Sequence, residues 1–160
     1  MNSQISHGTF VIDRVFRACP AHVFSAWGSA EAKAKWFYGP EGWELLERKL
    51  DFRPGGEERA IGRFPSGAVS KFVSRFYDIV PDTRIIYAYD MYVDDTKLSA
   101  SLSTVDFRNE SGGTRMIYTE QMAILGGMGP DPQAALAGRE QGTVWLFGNL
   151  EQALAAQTKQ

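Results

Sequence analysis

Hydrophobic positions open the chain in a strand rhythm. Thr9 to Phe16 reads TFVIDRVF, rich in β-branched and aromatic residues, and ends at Arg17-Ala18-Cys19-Pro20; this predicts a strand. Pro20 suits the first turn of a helix. Val23, Phe24 and Trp27 then follow at three- and four-residue spacing, which sets them on one helical face. Gly28 closes that short helix, and Ser29 can cap a second one running to about Trp36, before Gly39-Pro40.

After Pro40 the period changes to two. Trp43 to Phe52 (WELLERKLDF) holds Leu46, Leu50 and Phe52 at alternating positions, although its Glu, Leu, Arg and Lys are also good helix formers. The turn Arg53-Pro54-Gly55-Gly56 makes a β-hairpin the simpler reading, with Glu57 to Phe64 as the return strand. Lys71 to Val80, Arg84 to Tyr92, Leu98 to Phe107 and Thr114 to Met122 continue the pattern, separated by Pro, Asp, Ser and Gly clusters. Six consecutive strands with short turns predict an antiparallel meander.

A Gly/Pro loop at 126–132 ends the meander, and Gln133 to about Gln157 predicts one long helix. Leu136, Thr143, Leu146, Phe147, Leu150 and Leu154 form its stripe. Gly138, Gly142 and Gly148 each cost roughly 1 kcal/mol against Ala inside a helix. Close packing against the sheet is the commoner reason for such glycines; a gap left beside the helix is the other.

The order β, α, α, six β, α places one antiparallel sheet beside one helix long enough to cover it. Strand twist lets the sheet curl. The predicted fold class is α+β: a helix-grip fold, with a curved antiparallel sheet wrapped around the long C-terminal helix. One domain is expected over 1–160, its core at about 9–156.

Composition narrows the function classes. The 160 residues are 44% hydrophobic and 22% charged, with net charge −2, which fits a globular chain and gives no global pull toward nucleic acid. Lysines and arginines are scattered among acids, so no nucleic-acid partner is expected. Apolar runs are too short for membrane insertion, and the opening MNSQISHGTF lacks the build of a secretory leader. A cytoplasmic location is expected. Cys19 is the one cysteine, and His7 and His22 the two histidines, so neither a metal site nor any other cofactor is expected. Cys19 beside His22 reads better as a small residue at a strand–helix junction than as a nucleophile with its base. No catalytic residue is assigned.

Aromatics carry the stronger signal. They make up 12% of the chain and recur through most of it. Candidate ligand-binding residues are Trp36 and Phe37 at the end of the second helix and Phe64, Phe72 and Phe76 on the strands. Tyr87, Tyr89 and Tyr118 join them from later strands, and Trp145 from the long helix, beside its leucine stripe. Ordinary core packing is the competing reading for each. Met116, Tyr118 and Glu120 share a face, so Glu120 lies near the cavity or its rim if Tyr118 points inward. With an arginine partner it would anchor a ligand or act as an acid or base; a solvated rim charge or a cross-strand ion pair is the commoner outcome.

Several stretches also resemble a known family. RVFRACPAHVFSAWGSAEAKAKWFYGPEGW, then LDFRPGG, then FYDIVPDTRIIY, are similar to successive signatures of the activator-of-Hsp90-ATPase homologue family, within the START-like (SRPBCC; polyketide-cyclase and pollen-allergen-like) superfamily. GGTRMIYTEQMAI and the spacing Gly142, Leu150, Leu154 are similar as well. The resemblance covers about residues 9–156. It implies the helix-grip fold and a tryptophan, here Trp36, over a cavity mouth. It also implies a cavity for a small, mostly hydrophobic partner molecule. Two alternatives stay open: a cyclase- or hydrolase-type enzyme using Glu120, Arg59 or a tyrosine, and a co-chaperone-like interaction module with a chaperone partner. A homodimer also stays open, without an interface signature.

Overall fold

The computed structural model describes residues 5–157. Residues 1–4, part of the stretch read for a leader, and 158–160, the end of the domain expected over 1–160, lie outside the described residues. Strand β1 (Ser6–Phe16) is followed by helices α1 (Pro20–Ser25) and α2 (Ala30–Ala34). Strands β2 (Glu44–Leu50), β3 (Glu57–Arg63), β4 (Val69–Val80) and β5 (Arg84–Val93) come next. Then follow β6 (Thr96–Glu110), β7 (Gly113–Ile124) and helix α3 (Pro132–Gln157). The seven strands form one sheet in the order β1-β7-β6-β5-β4-β3-β2, every neighbour antiparallel. The helix-grip order read from the sequence is the order observed.

The inner face follows the two-residue period. Phe72 and Phe76 on β4, Tyr87 and Tyr89 on β5, and Tyr118 on β7 are all buried. The inner face of β6 instead carries Ser99, Ser101 and Ser103, also buried. These small residues leave room for the tyrosines of the flanking strands: Tyr87 stands opposite Ser103, and Tyr89 opposite Ser101.

Helix α3 opens at Asp131, whose carboxylate accepts from the Gln133 amide at 3.0 Å. It comes closest to β1, then to β7. Gly8 permits that approach: a Cβ there would fall 2.5 Å from a Leu136 methyl. Tyr87, Tyr89 and Phe72 lie on the strands farther across the sheet, and the space between them and α3 is wedge-shaped as a result.

Two expectations are corrected here. The three helix glycines do not serve close packing, because a Cβ at Gly138, Gly142 or Gly148 would meet nothing within 4 Å. On β2, a bulge between Leu45 and Glu47 breaks the simple alternation. Leu46 ends 42% exposed, while Leu50 and Phe52 pack against the core.

Candidate functional site

The wedge holds a cavity of about 310 Å³. Its sheet wall is Phe72, Tyr87, Tyr89, Met91 and Tyr118; Trp27, Trp36 and Phe37 close one end. On the helix side stand Phe147, Leu146 and Thr143, with Gly138 and Gly142 between turns. The absent side chains of those two glycines keep the helix wall recessed. At the rim, Tyr38 and Trp145 meet edge to face at 5.7 Å between ring centres. They are 39% and 46% exposed. A side pocket of about 160 Å³ shares Phe37, Phe72, Met91 and Leu146 with the main cavity and reaches Phe64.

One patch of the wall is polar. Tyr89 and Tyr118 each donate a hydroxyl to Glu120 at 2.7 Å, and Ser101 donates at 2.8 Å. From α3, Arg139 donates to Tyr89 Oη at 2.7 Å, to Glu120 at 3.3 Å and to Ser99 at 2.9 Å. Glu120 is completely buried and forms an ion pair with Arg139. It does not line the cavity; Tyr89, Tyr118 and Arg139 do. Burial raises the Tyr89 and Tyr118 phenols well above their ordinary range, and the Glu120 charge adds to this. Burial opposes the Arg139 charge, but the Tyr89 and Glu120 oxygens outweigh it and raise its pKa.

A second buried pair stands behind the opposite end. Lys33 of α2 donates to both Glu58 oxygens, at 3.1 and 3.0 Å. Both side chains are at most 2% exposed. The Lys33 ammonium lies 4.5 Å from the Phe37 ring centre, 5.0 Å from that of Trp27 and 5.2 Å from that of Trp36. Burial pushes the Lys33 ammonium pKa down, against the opposing pull of Glu58. Neither residue was singled out as a candidate from the sequence.

Of the expected candidates, Trp36, Phe37, Phe72, Tyr87, Tyr89 and Tyr118 reach the cavity wall, as does Trp145. Phe64 reaches only the side pocket. Phe76 does neither; it packs edge to face on Phe52, 5.2 Å between centres, deep in the core. Trp36 does not sit over the mouth. It is 1% exposed and its indole donates to the Ala26 carbonyl at 2.9 Å, so it is wall and core together. The expected rim charge at Glu120 is a buried ion pair instead, and its arginine comes from α3. Arg59 lies on the outer face, 3.5 Å from Glu47. Trp27, Tyr38 and Arg139 were missed. Arg139 had a signal, since it falls one residue after Gly138 in the recessed stretch of α3.

Among the described residues no cluster of His, Cys, Asp or Glu could hold a metal ion. No described helix is long and apolar enough to cross a membrane.

Comparison with solved structures extends the picture. A Rhizobium leguminosarum protein is 42% identical, covers 96% of this chain and 97% of its own, and superposes with a TM-score of 0.88. A Rhizobium loti protein is 35% identical, with coverage of 94% and 99% and a TM-score of 0.83. An AHSA1-like protein from Aeromonas hydrophila shares the fold at 19% identity, covering 96% of each chain with a TM-score of 0.69. No curated protein matches the chain. The sequence model of one family does, over residues 17–155, and on a match of that span the chain belongs to the Activator of Hsp90 ATPase homolog 1-like proteins.

Proposed function

We propose that this protein binds a small, mostly hydrophobic molecule between α3 and the sheet. The observation that carries this reading is the aromatic-walled cavity of about 310 Å³, held open by glycines on the helix. Apolar cavities of roughly 150 Å³ already hold benzene, so this one has room for a bicyclic guest. Burial of apolar surface supplies the affinity, and a few polar wall groups set orientation. Trp36, Phe37, Phe72, Tyr87, Tyr89, Tyr118 and Trp145 are the proposed contacts. Binding is put ahead of acid–base catalysis because Glu120, the expected acid or base, is screened from the cavity and already accepts from four donor residues.

The test is native mass spectrometry of the purified protein exposed to a lipid and metabolite extract. A Gly142→Phe variant serves as the blocked control. The wild type should retain a small molecule and gain thermal stability with it. Gly142→Phe should retain none while melting no lower. Absence of any retained mass and of any ligand-dependent shift in Tm would refute the reading.

A further inference from the structure

We propose that the cavity selects uncharged aromatic molecules, and that Glu120 sets this selectivity by neutralising Arg139. The proposal rests on the binding reading above and names the ligand class for the same site.

Among the described residues lining the cavity, Arg139 is the one with a charged side chain. A lone arginine in an apolar pocket ordinarily recruits a carboxylate, through its fixed fork of donors. Here both terminal nitrogens are engaged, one by Tyr89 and Glu120, the other by Ser99. The compensating charge sits directly behind, fully buried, on a carboxylate that also accepts from Ser101 and Tyr118. A second anion entering this space would lose its hydration and find no unmatched positive charge. It would also face the field of Glu120. The other buried cation, Lys33, is closed in the same way by Glu58 and lies behind the rings rather than in the wall. Arg48 donates to the Phe37 carbonyl and does not line the cavity. The one polar patch of the cavity wall is thus electrically balanced.

Trp27 lines the cavity with its ring, while its indole N–H is itself fully buried and has no hydrogen-bond partner among the described residues, so it faces packed side chains and not the open space. The surrounding rings of Trp36, Phe72, Tyr87 and Phe147 favour a flat aromatic body.

The experiment uses three naphthalene probes of similar size on the full chain at neutral pH, by calorimetry or displacement of a fluorescent reporter. They are 2-acetylnaphthalene (neutral, with an acceptor), 2-ethylnaphthalene (neutral, without one) and 2-naphthoate (anionic). The two neutral probes should bind, and naphthoate should fall about tenfold or more below the ketone. Glu120→Gln should release Arg139 and raise naphthoate affinity about tenfold relative to the ketone. Circular dichroism checks that each variant folds. The reciprocal variant Arg139→Met should favour 2-(aminomethyl)naphthalene, a cation, and supplies the same test if Glu120→Gln fails to fold. Naphthoate binding the wild type as tightly as the ketone would overturn the proposal while leaving the binding reading intact. An unchanged naphthoate-to-ketone ratio in a folded Glu120→Gln would do the same. Failure of all three probes to bind would overturn the proposal, and the retained mass in the extract experiment then decides the binding reading.

Discussion

Two tryptophans on one cavity answer substitution differently. Trp36→Ala removes a ring that is 1% exposed and a hydrogen bond to Ala26, so it should cost about 3–5 kcal/mol of stability. It should impair folding and binding together, as a shift in the urea midpoint will show. Trp145→Ala removes a ring 46% exposed at the rim. Its stability cost should stay within roughly 1 kcal/mol, while a bound fluorescent probe dissociates faster. The sequence marked both residues as candidates but could not rank them. Which is wall and which is rim depends on how the segment after α2 folds back on α3, and no periodicity encodes that. Phe76 shows the same limit. Its alternation with Phe72 is correct and puts both inside, yet of the two Phe72 alone lines the cavity between α3 and the sheet.

At the scale of elements, α2 was the least legible. Its five residues, AEAKA, carry no apolar period, and its lysine faces inward all the same. The rings of Trp27, Trp36 and Phe37 accept the cation, and Glu58 closes the charge. The alternation of β3 held a trace of this, since Glu58 shares a face with the buried Ala60 and Gly62. Lys33→Met leaves Glu58 buried without that partner and should cost about 3–5 kcal/mol, whereas Lys33→Met with Glu58→Leu should restore most of the loss. Denaturant unfolding of the two variants decides it. On α3, Gly142→Ala should raise stability by up to about 1 kcal/mol, since helix propensity improves and the added methyl meets no neighbour.

For the whole molecule, the order of elements was readable because each strand is bounded by turn residues and, among the described residues, the last helix is the only long one. The cavity was not, because it arises from where α3 leans on the sheet. The buried phenols give the molecule an alkaline limit. Tyr87, Tyr89 and Tyr118 all titrate above the ordinary value of 10.0 when folded, chiefly through burial. Above that pH the unfolded chain releases phenolic protons that the folded one keeps. Their stabilising contribution is therefore complete below pH 10 and is lost as pH rises through the folded pKa values. Lys33 acts with the opposite sign below its ordinary 10.5, because its folded pKa is depressed, so the decline is cleanest above that point. Urea midpoints measured up to about pH 11.5 should fall, and Tyr89→Phe should flatten the fall.

The closeness of Gly8 to Leu136 makes the two long sides of the cavity unequal. Along β1 the helix is bound like pages at a spine. At the fore-edge it is fastened by the Asn149 amide on the Trp36 carbonyl, 3.4 Å away, and by Tyr38 against Trp145. On the proposed binding, a bulkier guest would swing that edge outward without unzipping a single strand pair. Size would then be a forgiving criterion for entry, and the balance of charge at the fixed polar patch a strict one.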